Sequence, residues 1–385
     1  AAALVMQMCL GATYSWSIYV SALKELTGLN QGFIQLPFSL FYFVFPATMM
    51  LSGAVLLPRF GPRRCAVAGG LIFGSGWLLA ASGNVGFALT VLGIGLLGGI
   101  GAGVAYIIPI TVCIQWFPKH KGLVTGIAVA GFGGGAALVS LFGGILVDGW
   151  GMTPFGTFAI LGASFLMLIS LAGSFMRYAP RMEKARPPRL ESSMIVGQKG
   201  FWVLYIAMFA GLAAGFAVNA NLKELYKGPS IKAGMIAVSL FAVANGLGRI
   251  AWGVIVDRIR ASSAIQANLV SQAIVLLVVV LHVSSTPGFL LVSFLVGFNY
   301  GGVLVVYASA VARIWGDGHV AQVYGLLFSA NILAAASPVL VGLFYESLGS
   351  FDLPLCCLAV LMFFAALLAR KNTTTVDAEA TDSLS

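Results

Sequence analysis

The feature that most constrains this chain is a succession of apolar runs, near 1–22, 32–56, 65–83, 87–113, 122–147, 152–176, 200–222, 233–255, 263–283, 287–310, 321–345 and 351–369, separated by short polar turns. Each is close to the roughly 20 residues that an α-helix needs to cross a bilayer. A spanning segment in lipid must satisfy its backbone hydrogen bonds internally, and for runs of this length that means helices. The expectation is an all-α membrane protein of twelve transmembrane helices, numbered here as segments 1 to 12 in that order. Composition excludes a water-soluble reading, because 59% of the 385 residues are hydrophobic and only 9% charged, against roughly a quarter charged in a soluble domain. Too little chain lies outside the runs for an extramembrane enzyme domain.

The longest polar connection, 177–199, carries Arg177, Arg181, Lys184, Arg186, Arg189 and Lys199 around Pro187 and Pro188. It divides the chain into an N-terminal six-helix bundle at 1–176 and a C-terminal one at 200–370, followed by a tail at 371–385. Of the 21 Lys and Arg, 16 fall on the side that holds this linker and the C-terminus, and 4 (Lys24, Lys223, Lys227 and Lys232) on the other. Positive loops stay in the cytosol, so the linker and both termini are expected there. The net charge of +9 follows from this loop bias, and no nucleic-acid partner is expected. The five cysteines are odd in number and lie in or beside apolar runs, which spells neither a disulfide framework nor a metal site. Ala1 leads straight into an apolar run without a basic stretch or cleavage signature, and reads as a first spanning helix whose preceding tail is missing, not as a signal peptide.

The halves repeat one another. The turn after segment 2 reads Ala54-Val-Leu-Leu-Pro-Arg-Phe-Gly-Pro-Arg-Arg64, and the turn after segment 8 reads Gly253-Val-Ile-Val-Asp-Arg-Ile-Arg260, with Arg59 and Arg258 in register. Six helices after Trp116-Phe-Pro-Lys-His-Lys-Gly122 comes Trp315-Gly-Asp-Gly-His319, then Tyr324-Gly325. Repeats in the same orientation imply two bundles related by an axis along the membrane normal, with a binding site near the midplane. Gly93-Ile-Gly-Leu-Leu-Gly98 matches a dinucleotide-binding pattern but lies inside an apolar run with no strand before it. With Gly101 and Gly103, and with Gly131, Gly133, Gly134 and Gly135 in segment 5, it is better read as a surface for close helix packing. His120 and His319 read as ordinary loop histidines, and the Asn372-Thr-Thr sequon in the cytosolic tail as a chance match.

Arg249 is the one ionisable residue placed deep in a span, eight residues before Asp257 at the cytosolic end of segment 8, or about 12 Å along a helix. An intramembrane cation is costly unless it faces a partner or a polar cavity. No Asp or Glu lies at comparable depth in the sequence: Glu25, Asp148, Glu224, Glu346 and Asp352 read as outer-side, and the other acids as inner-side or tail. A substrate anion is then the simplest partner, against the alternative that Arg249 braces helix-end carbonyls. Asn245, one turn earlier on the same face, can steady the guanidinium or accept a hydrogen bond from substrate. Tyr14, Tyr106, Tyr300 and Phe328 lie at mid-span, where lining a cavity and filling a core are both open.

Together these features resemble the major facilitator superfamily, and within it the branch of oxalate:formate antiporters and animal monocarboxylate transporters. The resemblance covers all twelve segments and is carried by Thr13-Tyr-Ser-Trp16, Gln115-Trp-Phe-Pro118 with Lys121-Gly122, Asn245-Gly-Leu-Gly-Arg249 with Trp252-Gly253, and Tyr324-Gly325. It implies that Arg249 is the family's substrate-binding arginine and Tyr14 its segment 1 tyrosine. It further implies that Gln35 is a substrate-facing glutamine, and that Tyr106, Tyr300 and Phe328 are site aromatics. Four departures refine this. Asn331 stands where the oxalate carrier has a second cation, and Asn245 where animal monocarboxylate carriers have an Asp. Their segment 1 lysine is absent, with Ser17 near its place, and the superfamily's usual acid after segment 2 is Pro58, while its counterpart Asp257 is kept.

One cation neutralises a monoanion, whereas a dianion would leave an uncompensated charge in a low-dielectric site, at a cost of about several kcal/mol. The planar guanidinium also matches a carboxylate through two parallel hydrogen bonds. The expectation is therefore a secondary transporter of a lactate-like monocarboxylate in a bacterial inner membrane. It needs no cofactor, and its partners are the substrate, protons and the bilayer. Carboxylate exchange of the oxalate:formate type is the alternative, and a membrane enzyme or a non-transporting sensor stands further off. An enzyme would need a clustered acid, base or metal set that three scattered histidines do not supply.

Overall fold

The computed structural model describes residues 1–184, 190–222, 225, 231–282 and 285–371. Arg186, Pro187, Pro188 and Arg189 of the linker, Lys223, Glu224, Lys227 and the tail with its Asn372 sequon lie outside the described residues, as do the side chains of Asp148, Lys184 and Lys232. Among the described residues every regular element is helical. Ten stretches are long and apolar enough to cross a membrane.

Two features separate these ten from the twelve apolar runs of the sequence. The stretch Phe33–Asn84 is 52 residues long and carries both segments 2 and 3, with a break at Gly61 (φ 79°, ψ 168°) followed by Pro62. Only glycine takes that φ without strain, and the following proline cannot donate to a helix crossing the break. Segment 1 is helical in three pieces, an α-helix Ala2–Leu10, a 3-10 stretch Gly11–Tyr19 and an α-helix Val20–Thr27. No single piece reaches spanning length. Elsewhere helix starts are set locally: the Thr153 Oγ1 accepts a hydrogen bond from the Gly156 amide (3.2 Å) and the Ser285 Oγ from the Gly288 amide (3.3 Å), each just before a proline in the first turn.

The chain forms two compact units. The first comprises Ala1–Trp116, Ala128–Arg189 and Val320–Phe328, and the second Phe117–Ile127, Leu190–His319 and Ser329–Ser385. The start of segment 5 thus groups with the second half of the sequence and the start of segment 11 with the first. In the first unit, Leu57–Ala80 runs along Pro154–Ser174, with Gly70 against Ile169, Gly74 against Leu166 and Gly162 against Leu78. A core of Trp16, Tyr19 and Trp77 closes around Phe158 at ring separations of 6.0, 4.9 and 5.6 Å. Gly93 and Gly101 meet the backbones of Gly76 and Phe73, and Gly135 meets that of Met8, as the close-packing reading expects. Gly98 makes only ordinary contacts, and Gly134 faces open space.

The second unit is organised around Ile231–Arg258, which lies along Thr286–Ile314. There Gly297, Gly301 and Gly248 rest on the backbones of Phe241, Asn245 and Phe298. At its end, the Asp257 carboxylate accepts hydrogen bonds from the amides of Gly122 (2.7 Å) and Leu123 (2.9 Å). These are first-turn donors of helix Lys121–Gly144, which has no partner for them of its own. Gly122 and Gly253 lie carbonyl against backbone beside this cap, Lys121 pairs with Asp317, and the Arg313 guanidinium donates to the carbonyls of Ile259 (2.6 Å) and Val256. Losing both carboxylate bonds costs about 1–2 kcal/mol, the range of a helix cap. Asp257→Ala is therefore expected to lower the melting temperature measurably in detergent, and Asp257→Asn, which can keep one acceptor, to lower it less. Equal melting of Asp257→Ala and wild type would show that the cap contributes nothing.

Candidate substrate site

Arg249 is 6% exposed, within the long helix of the second unit. Glycines let its neighbours approach closely here: Gly248 abuts Phe298, and Gly126 of segment 5 lies against the Arg249 carbonyl, closer than any Cβ could stand. Helix Lys121–Gly144 thus begins with Gly122 and Gly126, one turn apart, both facing Ile231–Arg258. Asn245 is half-buried, with its carbonyl covered by Gly301. Tyr300 is half-buried, packed on Phe216 (5.8 Å) and Phe241 (6.0 Å), its ring pressed on Gly215. Asn331 is half-buried between two interruptions of segment 11, at Ser329 and at Ala335–Ala336. The second unit therefore holds Arg249, Asn245, Tyr300 and Asn331.

The first unit holds the other four candidates, and three of them share a ring cluster. Tyr14 stacks on Tyr42 (5.3 Å) and meets Phe132 edge-on (5.2 Å). Tyr106 packs on Phe132 (5.4 Å), Phe45 (5.2 Å) and Phe328 (5.6 Å), and Phe45 on Phe328 (5.5 Å). Tyr106 and Phe328 are 2% and 3% exposed, whereas Tyr14, at 41%, keeps a large free surface. Gln35 is half-buried on segment 2, and no ring contact ties it to this cluster. The cluster can offer apolar ring faces together with phenol hydroxyls, the usual lining of a small-molecule site.

Sequence reasoning missed Tyr42, Phe45 and Phe132. Phe132 had a signal. It stands between Gly131 and Gly133, and segments 1 and 5 meet there backbone to backbone, Gly11 on the Phe132 carbonyl and Gly135 on that of Met8. A lone ring within a glycine run is a ring given room to project. Phe45 and Tyr42 had none, since segment 2 is rich in aromatics along its length.

Ten helical stretches long and apolar enough to cross a membrane define a multi-pass integral membrane protein, and among the described residues Arg249 is the buried guanidinium. Residues 2–330 and 223–380 match the Major Facilitator Superfamily, and the chain belongs to that family. It is 27% identical over 344 residues to the oxalate:formate antiporter of Oxalobacter formigenes, covering 87% of this chain and 81% of that one. It is 25% identical over 333 residues to an uncharacterised transporter of the same type, YhjX of Escherichia coli (84% and 82% covered). With human monocarboxylate transporter 10 it shares 24% over 351 residues (83% and 67% covered). The fold matches that of the E. coli fucose:proton symporter with a TM-score of 0.74 at 13% identity, over 97% of each chain. The family is one of transporters, and the relatives named here include carriers of the monocarboxylate and oxalate:formate branch.

Proposed function

We propose that the protein is a secondary active transporter of small, lactate-like monocarboxylates, working by alternating access in a bacterial inner membrane with both termini in the cytosol. The observation that carries this is the charge inventory of the named positions: a buried Arg249 cation and a neutral Asn331. Arg249 takes the carboxylate through two parallel hydrogen bonds. Asn245, Tyr300, Asn331, Tyr14, Gln35, Tyr106 and Phe328 are the further residues proposed to contribute to substrate binding. A monoanion on Arg249 leaves the site neutral, which favours monocarboxylates over oxalate.

Proton-linked symport is the proposed coupling, because the anion and a proton crossing together are electroneutral. Asn245, standing where a proton-carrying carboxylate would be useful, gives exchange its one specific support. Labelled lactate in proteoliposomes separates the two. Symport predicts accumulation driven by an inward proton gradient with no internal anion, collapsed by a protonophore and insensitive to membrane potential. Accumulation that requires internal carboxylate and ignores the gradient would establish exchange.

Selectivity gives a second test. Asn331→Lys adds the second cation and is expected to shift competition between oxalate and lactate toward oxalate by about tenfold, the scale of one partly buried ion pair. An unchanged ratio would remove Asn331 from the site.

A further inference from the structure

Gln7 has not entered the account; like Gln272 and Asn268 it donates to a backbone carbonyl and leaves its amide oxygen buried without a partner, and of the three it is the one beside the Tyr106 and Phe132 rings. It lies on helix Ala2–Leu10 at 0% exposure, inside the first unit. Its Nε2 donates to the Tyr106 carbonyl (3.2 Å). Because that partner can only accept, it fixes which end of the amide is nitrogen. The other end, Oε1, is buried with no hydrogen-bond partner. Buried polar atoms are almost always paired, and an exception calls for an unseen ligand or water.

The location narrows what that ligand is. Gln7 and Tyr14 both meet segment 5 at adjacent positions, Gln7 at Gly131 and Tyr14 at the ring of Phe132. Gly131 approaches Gln7 from segment 5, one residue before Phe132, and Tyr106 holds its amide from segment 4. The amide is therefore held on the backbone of Tyr106, and its side chain passes Gly131, the neighbour of Phe132, whose ring packs on Tyr106 and Tyr14. An amide oxygen accepts and cannot donate, so it recognises a hydroxyl and gains nothing from a methyl or methylene.

We propose that Gln7 is a specificity-determining residue whose Oε1 accepts a hydrogen bond from the hydroxyl of a 2-hydroxy monocarboxylate, so that the carrier prefers hydroxy acids to their deoxy analogues. The assignment rests on the monocarboxylate reading. A site built to bond a hydroxyl rejects the analogue that lacks it, because its own polar atom is then left unpaired. A neutral hydrogen bond corresponds to a factor of about five to ten in affinity.

The test measures KM for labelled lactate and propionate in proteoliposomes, for wild type and for Gln7→Met, which conserves volume and removes the acceptor. Wild type is expected to favour lactate about five- to tenfold, and Gln7→Met to reduce that ratio to about one while still moving propionate. A purely structural role, through the bond to Tyr106, would slow both substrates alike and leave the ratio unchanged, which would overturn the proposal. The wild-type ratio is read without any variant, so poor folding of Gln7→Met leaves the test intact: equal KM values in wild type overturn the proposal while the monocarboxylate reading stands. Wild-type vesicles that take up neither acid overturn both.

Discussion

Arg249→Ala and Arg249→Gln are expected to reduce lactate uptake by about a hundredfold or more while the protein still inserts and melts within a few degrees of wild type. The size follows from the chemistry: removing one side of a buried, charge-assisted pair costs about 2–5 kcal/mol of binding. The retained fold follows from the packing, since Gly126, Gly248 and Gly301 pack backbone against backbone along this helix and are untouched by the substitution. Arg249→Lys is expected to be nearly as poor. A lysine keeps the charge but offers a point donor where the guanidinium offers a planar fork. Uptake and thermal melting measured on the same preparations separate this from a structural defect, because collapse of both together would make Arg249 a brace of the bundle.

Gly126→Val should show the opposite signature. A side chain there would collide with the Arg249 carbonyl, and backbone, unlike a flexible side chain, cannot step aside. Overpacking of this kind costs about 1–3 kcal/mol, so the melting temperature should fall by several degrees and uptake should fall with it, because Arg249 is carried on the displaced helix. Gly126→Ala should do the same to a lesser degree. Gly134→Val is the control: the position faces open space, and neither property should change. Wild-type melting and uptake in Gly126→Val would show that segments 5 and 8 do not need this contact.

The residues that were legible in the sequence are those whose meaning is local. Runs of apolar residues near spanning length declare helices, and Phe-Gly-Pro at 60–62 declares the break that divides the 52-residue stretch. Arg249 stood out because a charge inside an apolar run is costly whatever surrounds it. The glycines of segments 4 and 5 announced close packing, but not with what. That Gly126 meets Arg249, and that residues 117–127 group with the second half of the chain, depends on partners more than a hundred residues away. Aromatic rings were harder still. Tyr14, Tyr106 and Phe328 were chosen by depth and by resemblance, and they fall in one cluster, yet Phe45 and Phe132 bind that cluster together and were not singled out. In a membrane helix a ring is equally at home against lipid, core or cavity, so hydrophobicity does not report its direction. The 3-10 stretch Gly11–Tyr19 had no signature either, since its residues would suit an α-helix equally well.

The most direct test of the central claim is calorimetric titration of L-lactate into the purified protein, wild type beside Arg249→Ala. The account predicts saturable, single-site binding to wild type, and heats indistinguishable from dilution for the variant at the same concentrations. Near wild-type affinity in Arg249→Ala would contradict it, because the carboxylate would then be held somewhere else.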